Sequence, residues 1–110
     1  MQFVNLTPHS IRVVLDGGEL EIPPSGTVAR VAVKQKLVGN IDGIPLVRNE
    51  WGSIEGLPEP KDGIVYIVSS LVLSRIRGRT DVVAPDTGPS AIRDNKGRIT
   101  GIRRFVLPEE

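Results

Sequence analysis

Glycine and proline punctuate this chain from end to end. Gly occurs 12 times and Pro 9 times in 110 residues, and the longest stretch free of both is 64–77. Each break costs a helix far more than it costs a chain of short strands, where both residues serve as turn formers. Between the breaks stand 14 Val, 11 Ile and 9 Leu, while alanine, the best helix former, appears only four times. β-Branched residues lose side-chain freedom in a helix and pack well on a pleated surface. The expected fold is therefore mostly β: a small barrel or sandwich of short antiparallel strands. One compact domain over residues 1–110 suits this length.

Several functions are excluded by what is missing. There is no cysteine, so zinc ribbons, Cys-x-x-Cys redox sites and cysteine nucleophiles fall away. No apolar run approaches the length of a membrane span. Met1-Gln2-Phe3-Val4-Asn5 also lacks the basic start and apolar run of a secretory signal. A reducing cytoplasm is the expected setting. A net charge of +1 makes no case for nucleic acid, though the balance is uneven. Residues 1–70 carry six Lys/Arg against eight Asp/Glu, and residues 71–110 carry eight against five. Arginines 75, 77, 79, 93, 98, 103 and 104 supply that surplus, and a guanidinium binds phosphate or carboxylate in a fixed fork.

Strands are expected at Phe3–Leu6, Ile11–Leu15, Leu20–Ile22, Val28–Val38, Ile44–Trp51 and Gly63–Val68. Asp16-Gly17-Gly18-Glu19 and Asn40-Ile41-Asp42-Gly43 are hairpin turns. Gly63–Val68 is apolar on both faces except Tyr66, which marks a central strand. Ser69-Ser70, the apolar run after them and Gly78 describe one short helix over residues 71–77. Thr80–Ala84 is a further strand. Ala91–Arg93 and Arg98–Leu107 form a terminal hairpin with a bulge at Gly101. Val28–Val38 and its return strand are long enough to pair or protrude, and a homo-oligomer is expected.

Candidate chemistry gathers in the turns. Asp86-Thr87-Gly88 is the triplet of aspartic proteases, where two carboxylates share a proton. The flanking Pro85 and Pro89 and the short remaining chain favour ordinary Asp-x-Gly turn chemistry. Ser69 or Ser70, His9 and Asp81 or Asp86 supply the residue types of a hydrolase triad, but no Gly-x-Ser-x-Gly elbow accompanies them. A helix start at Ser69-Ser70 offers N–H donors to an anion, with Arg79 just beyond; the plainer reading is that serine caps its own helix. His9 is the only histidine, and no carboxylate cluster has metal-ligand spacing, so no metal and no cofactor is expected. Trp51 either fills the core or stacks on a base.

Asn5-Leu6-Thr7-Pro8-His9, Ile22-Pro23-Pro24-Ser25-Gly26, Gly56-Leu57-Pro58-Glu59-Pro60, Tyr66-Ile67-Val68-Ser69 and the segment Arg79–Pro89 follow one another in order. In this the chain resembles a group of small bacteriophage and prophage proteins over essentially its whole length. The resemblance implies a phage origin and a host bacterial cytoplasm, and it carries over no catalytic assignment. Its turns hold His, Asn, Arg and Asp beside the Gly and Pro that a turn needs. Asn5, Thr7, His9, Ser69, Ser70, Arg79, Asp81, Asp86, Thr87 and Arg93 are accordingly the candidate ligand-binding residues. Arg79 and Arg93 suit phosphates, Trp51 or Tyr66 would flank a base, and Asp81 or Asp86 would bond ribose hydroxyls.

The expected function is a non-catalytic binding protein for a small anionic, nucleotide-derived ligand, such as a host immune signal that a phage gains by sequestering. The alternatives are a small structural or accessory virion protein and, third, a hydrolase or aspartic-protease-like enzyme. A DNA-binding role ranks last, because the basic surplus is small and aromatic residues are few.

Overall fold

A computed structural model describes all residues, 1–110. Ten strands and one helix occur in the order β1 (Gln2–Asn5), β2 (Ile11–Leu15), β3 (Gly18–Ile22), β4 (Arg30–Ile41), β5 (Ile44–Glu55), β6 (Ile64–Ile67), α1 (Ser70–Leu73), β7 (Val82–Pro85), β8 (Ile92–Arg93), β9 (Ile99–Gly101) and β10 (Phe105–Val106). The protein is mostly β with one short helix, as its composition requires. No helix is long and apolar enough to cross a membrane.

The sheets do not close into a barrel. A four-stranded sheet of order β1-β6-β7-β10 forms the centre, and β2-β3, β4-β5 and β8-β9 are separate hairpins. The centre also departs from the antiparallel expectation: β1 runs parallel to β6 and β6 parallel to β7, with only β10 reversed against β7. The reason lies in the connections. A parallel pair needs a crossover of about a dozen residues or more, and residues 68–81, which contain α1, supply one between β6 and β7.

β6 is central, and its alternation builds a core on each side. Tyr66 and Val68 enter one cluster with Leu6, Ala29, Val72, Leu73, Ile76, Val82 and Ala84. Ile67 enters the other with Ile11, Val13, Ile22, Val83 and Ile102. β7 divides likewise, with Val82 on one side and Val83 on the other. A strand covered on both faces must be apolar on both, which is the pattern read in Gly63–Val68. The helical segment and the base of β4-β5 cover the first face. The β2-β3 hairpin and Ile102 cover the second, joined by a parallel bridge between Val13 and Ile102.

Three elements differ from expectation in extent. The helix is a single turn, ending at Ser74; the bonds from Arg75 N to Val72 O and Ile76 N to Leu73 O tighten the next turn into three-residue spacing. The terminal segment is no simple hairpin, because the chain leaves β9 after Gly101 and β10 joins the central sheet. The strand expected to end at Trp51 continues to Glu55 past an irregularity.

β4 and β5 pair over twelve residues each and extend beyond the body. Asp42 and Gly43, at φ 51° and 82°, make the two-residue turn that matches strand twist. At the base, Gly56 has φ 81°, and a Cβ there would sit 2.7 Å from the Val28 carbonyl oxygen. Only glycine fits that exit.

Candidate functional site

The parallel core decides where the loops meet. Asn5 at the end of β1 is level with Ile67 at the end of β6, and Ile67 is level with Val83 in β7. The segments leaving all three strands therefore emerge on one edge of the sheet. Thr7 and His9 come after β1, Ser69 and Ser70 after β6, and Thr87 after β7. All five line one cleft of about 510 Å³, closed on the far side by β2, β3 and β9. Crevices beyond the carboxyl ends of parallel strands are a recurrent ligand position for this geometric reason.

Ile11, Ile99 and Ile102 contribute the apolar part of the lining, with Ile11 and Ile102 anchored in the core. Around them the lining is completed by the hydroxyl residues Thr7, Ser10, Ser69, Ser70, Thr87 and Thr100, together with His9, Arg12 and Glu21. Gly101 forms part of the wall. A Cβ there would lie 3.2 Å from an Arg12 guanidinium nitrogen and 3.4 Å from the Arg12 carbonyl oxygen, so β9 runs close beside β2 at this point.

Asn5 is a brace for this wall. It is 1% exposed, and its side-chain amide is fully used. Nδ2 donates to the carbonyls of His9 (2.8 Å) and Ile22 (3.0 Å). Oδ1 accepts from the Thr7 amide (2.9 Å) and the Thr7 hydroxyl (2.6 Å). The Thr7-Pro8-His9 turn is thereby fastened to the end of β3, which sets the position of two lining residues.

Three further candidates are internal ties outside the cleft. Arg79 grips Asp81 through Nε (2.9 Å) and a terminal nitrogen (2.6 Å), and donates to the Pro58 carbonyl at 3.1 Å. Two motifs that stand apart in sequence, Gly56–Pro60 and Arg79-Thr80-Asp81, are thus one structural joint. The guanidinium holds the Asp81 carboxyl below the usual carboxylate range, and hydrogen bonding raises Arg79 in turn. Asp86 accepts from the Gly88 amide (3.0 Å), the Ser90 hydroxyl (3.1 Å) and Arg104 Nε. Arg104 first, then the Gly88 amide, holds its carboxyl low as well. Asp86-Thr87-Gly88 is an Asx turn clamped by an arginine, a geometry that secures the carboxylate's charge.

Arg93 stands behind the lining, donating to the Thr87 carbonyl (3.2 Å) and the Gly97 carbonyl (2.8 Å). Ser69 caps α1, its hydroxyl accepting from the Val72 amide at 3.3 Å. One turn of helix has too few aligned peptides for a useful dipole, so the anion site expected from a helix over 71–77 loses its basis. Tyr66 is buried in the core. Trp51 lies at the base of the β4-β5 hairpin with the Arg75 guanidinium 4.8 Å from its ring centre, so neither aromatic lines the cleft.

Sequence reasoning misses Ser10, Arg12, Glu21 and Thr100. A signal for Arg12 is present: it alternates with buried Ile11 and Val13 on β2. Which side of the molecule that outward face addresses depends on β9, some ninety residues away, and no local pattern reports it. Arg12 pairs with Glu19 and keeps one terminal nitrogen toward the Thr100 carbonyl at 3.4 Å. Hydrogen bonding to Arg12 keeps the Glu19 carboxyl ionised to lower pH than usual. Ser10 donates to Glu21. No group of three His, Cys, Asp or Glu side chains is placed to hold a metal ion. Comparison with protein-family models, with curated proteins and with solved structures yields no match to this chain.

Proposed function

We propose that the protein is a non-catalytic binding protein that holds a small anionic, nucleotide-derived ligand in the cleft beyond β1, β6 and β7. The observation that carries this reading is that six Ser and Thr residues, His9 and Arg12 line, with three isoleucines, one space of about 510 Å³. That volume lies within the range of small-molecule and cofactor sites. Hydroxyls and an imidazole suit sugar and base edges, the isoleucines suit a base face, and Arg12, the one Lys or Arg of the lining, suits a phosphate.

The motif resemblance supplies the setting. A phage-encoded protein in the host bacterial cytoplasm, binding without turnover, removes a host signalling nucleotide from circulation. The commitment of Asp86 and Asp81 to internal arginines supports binding over catalysis, because both carboxylates already stabilise turns.

Purified protein incubated with cyclic nucleotides and ADP-ribose should retain one of them at micromolar affinity or tighter and release it intact on heating. Ser70→Leu, which fills the cleft, should weaken retention about tenfold or more without unfolding the chain. Arg79→Ala should leave affinity within about twofold, since Arg79 lies outside the lining. Retention of none of these ligands would overturn the reading. Stoichiometric recovery of ligand-free protein in virions would favour a structural role.

A further inference from the structure

We infer that the β4-β5 hairpin is an arm by which this chain binds a second copy of itself, independently of what occupies the cleft. The radius of gyration is 16.5 Å, where about 13 Å is expected for a compact domain of this length. The accessible surface is 7717 Å², against about 5,950 Å² for a folded monomer of 11.9 kDa. The excess of roughly 1,800 Å² is about twice what one partner contributes to a standard interface.

The excess is concentrated and apolar. Of the chain's fourteen exposed large hydrophobic residues, Val33, Leu37, Val38, Ile41, Ile44, Leu46 and Val47 belong to the arm. Register sorts its faces. Val33 pairs with Trp51, Gln35 with Asn49 and Leu37 with Val47; Lys34 pairs with Glu50 and Lys36 with Arg48. Cross-strand partners share a face, so β4 and β5 place no charged residue on the face of Val33, Trp51, Leu37 and Val47, while the other face carries all six of their charged residues, Arg30, Lys34, Lys36, Arg48, Glu50 and Glu55. Past the irregularity at Leu37/Gly39, Leu46 and the Ile41–Ile44 pair fall on the charged face. The uncharged face continues from Val31 and Ile54, which pack on the core. Its single polar pair is satisfied internally, Gln35 Nε2 donating to Asn49 Oδ1 at 3.2 Å.

Charge selects the occupant. Such a face can meet the same chain across a two-fold axis with no like-charge penalty along Val33–Leu37 and Val47–Trp51, whereas a strongly basic or acidic partner finds on it only Arg75, held against Trp51 at its base. Edge pairing is disfavoured by lysines, by Pro45 and by irregularities at Val31/Val33 and Leu37/Gly39. The contact is therefore made by the face. Laid only against its counterpart, an arm face of about 30 by 10 Å would hide roughly 300 Å² per copy, well short of a stable interface. Laid reciprocally along the body of the second copy, each chain contributes an arm face and a body surface of like size, roughly 600 Å² per copy and roughly 1,200 Å² in all, the lower bound of a standard interface.

Light scattering on the full chain across a concentration series tests this. The expected mass is at least twice 11.9 kDa. Leu37→Asp with Val47→Asp should return it to one chain, with far-UV circular dichroism unchanged because both sites are exposed. Trimming the arm at the Gln35–Asn49 pair with an Asn-Gly turn should do the same. Lys36→Ala with Arg48→Ala, on the charged face, should leave the mass unaltered. A monomeric wild type at high micromolar concentration would overturn the proposal. So would an oligomer that survives both arm variants, or one lost on changing the charged face alone.

Discussion

β6 and the β4-β5 arm are built from the same residues and put them to opposite use. Ile67 and Val68, at the end of β6 and just past it, are fully buried, each in the core on its own side of the central sheet. On the arm, Ile41 and Ile44 face each other across the turn at 60% and 66% exposure. Hydrophobic pattern sets which way a side chain points, but burial depends on what is brought over it. In β6 that cover comes from the same chain. On the arm the same chain supplies none, and the residues stay exposed.

The largest expected effect contrasts these regions directly. Ile67→Ala should cost about 3–4 kcal/mol in urea unfolding, since it opens a cavity in a site with no exposure. Leu37→Ala, at a site 69% exposed on the uncharged face, should cost no more than about 0.5 kcal/mol in dilute protein. Raising the protein concentration should enlarge the Leu37 effect and leave that of Ile67 unchanged, because on the proposed reading only the arm is linked to association. Equal and concentration-independent losses would erase the distinction.

Next comes the brace between body and cleft. Asn5→Ala strips partners from the His9 and Ile22 carbonyls and from the Thr7 amide, and should cost about 2–3 kcal/mol. It should also weaken ligand retention, because Thr7 and His9 lose their anchor. A variant that binds normally while destabilised would separate Asn5 from the cleft.

The smallest effect concerns acid. Asp81 is held low chiefly by its hydrogen bonds to Arg79, and Asp86 chiefly by Arg104. A carboxyl lowered on folding contributes stability that is complete above its unfolded pKa of about 3.9 and lost as pH falls through the folded value. The melting temperature should therefore hold above about pH 4–5 and drop below it. Asp81→Asn should flatten that acid limb while costing about 1–2 kcal/mol at neutral pH. An unchanged acid limb would show that this joint carries no linked stability.

Local chemistry made much of this legible. The turns at Asp16-Gly17 and Asp42-Gly43, the central place of Gly63–Val68 and the turn character of Asp86-Thr87-Gly88 derive from residue types at close spacing. What was not legible is the pairing of β1 with β6, roughly sixty residues apart. A parallel partner is chosen by the crossover and the cover on both faces, neither of which a short window contains. The same gap hid part of the site. Thr7, Ser69 and Thr87 share an edge only because three strands run parallel, and Arg12 joins them only because β9 lies beside β2. Asn5 and Arg79 read as ligand contacts because polar residues in turns look alike until their internal partners are seen.

Backbone hydrogen exchange on the full chain, with and without cyclic nucleotides and ADP-ribose, tests the central division most directly. Added ligand should slow exchange in segments 7–12, 69–72 and 99–102, which wall the cleft, and leave 33–47 of the arm unchanged. Absence of protection with every ligand, or protection concentrated on the arm, would contradict a ligand site beyond the ends of the parallel strands.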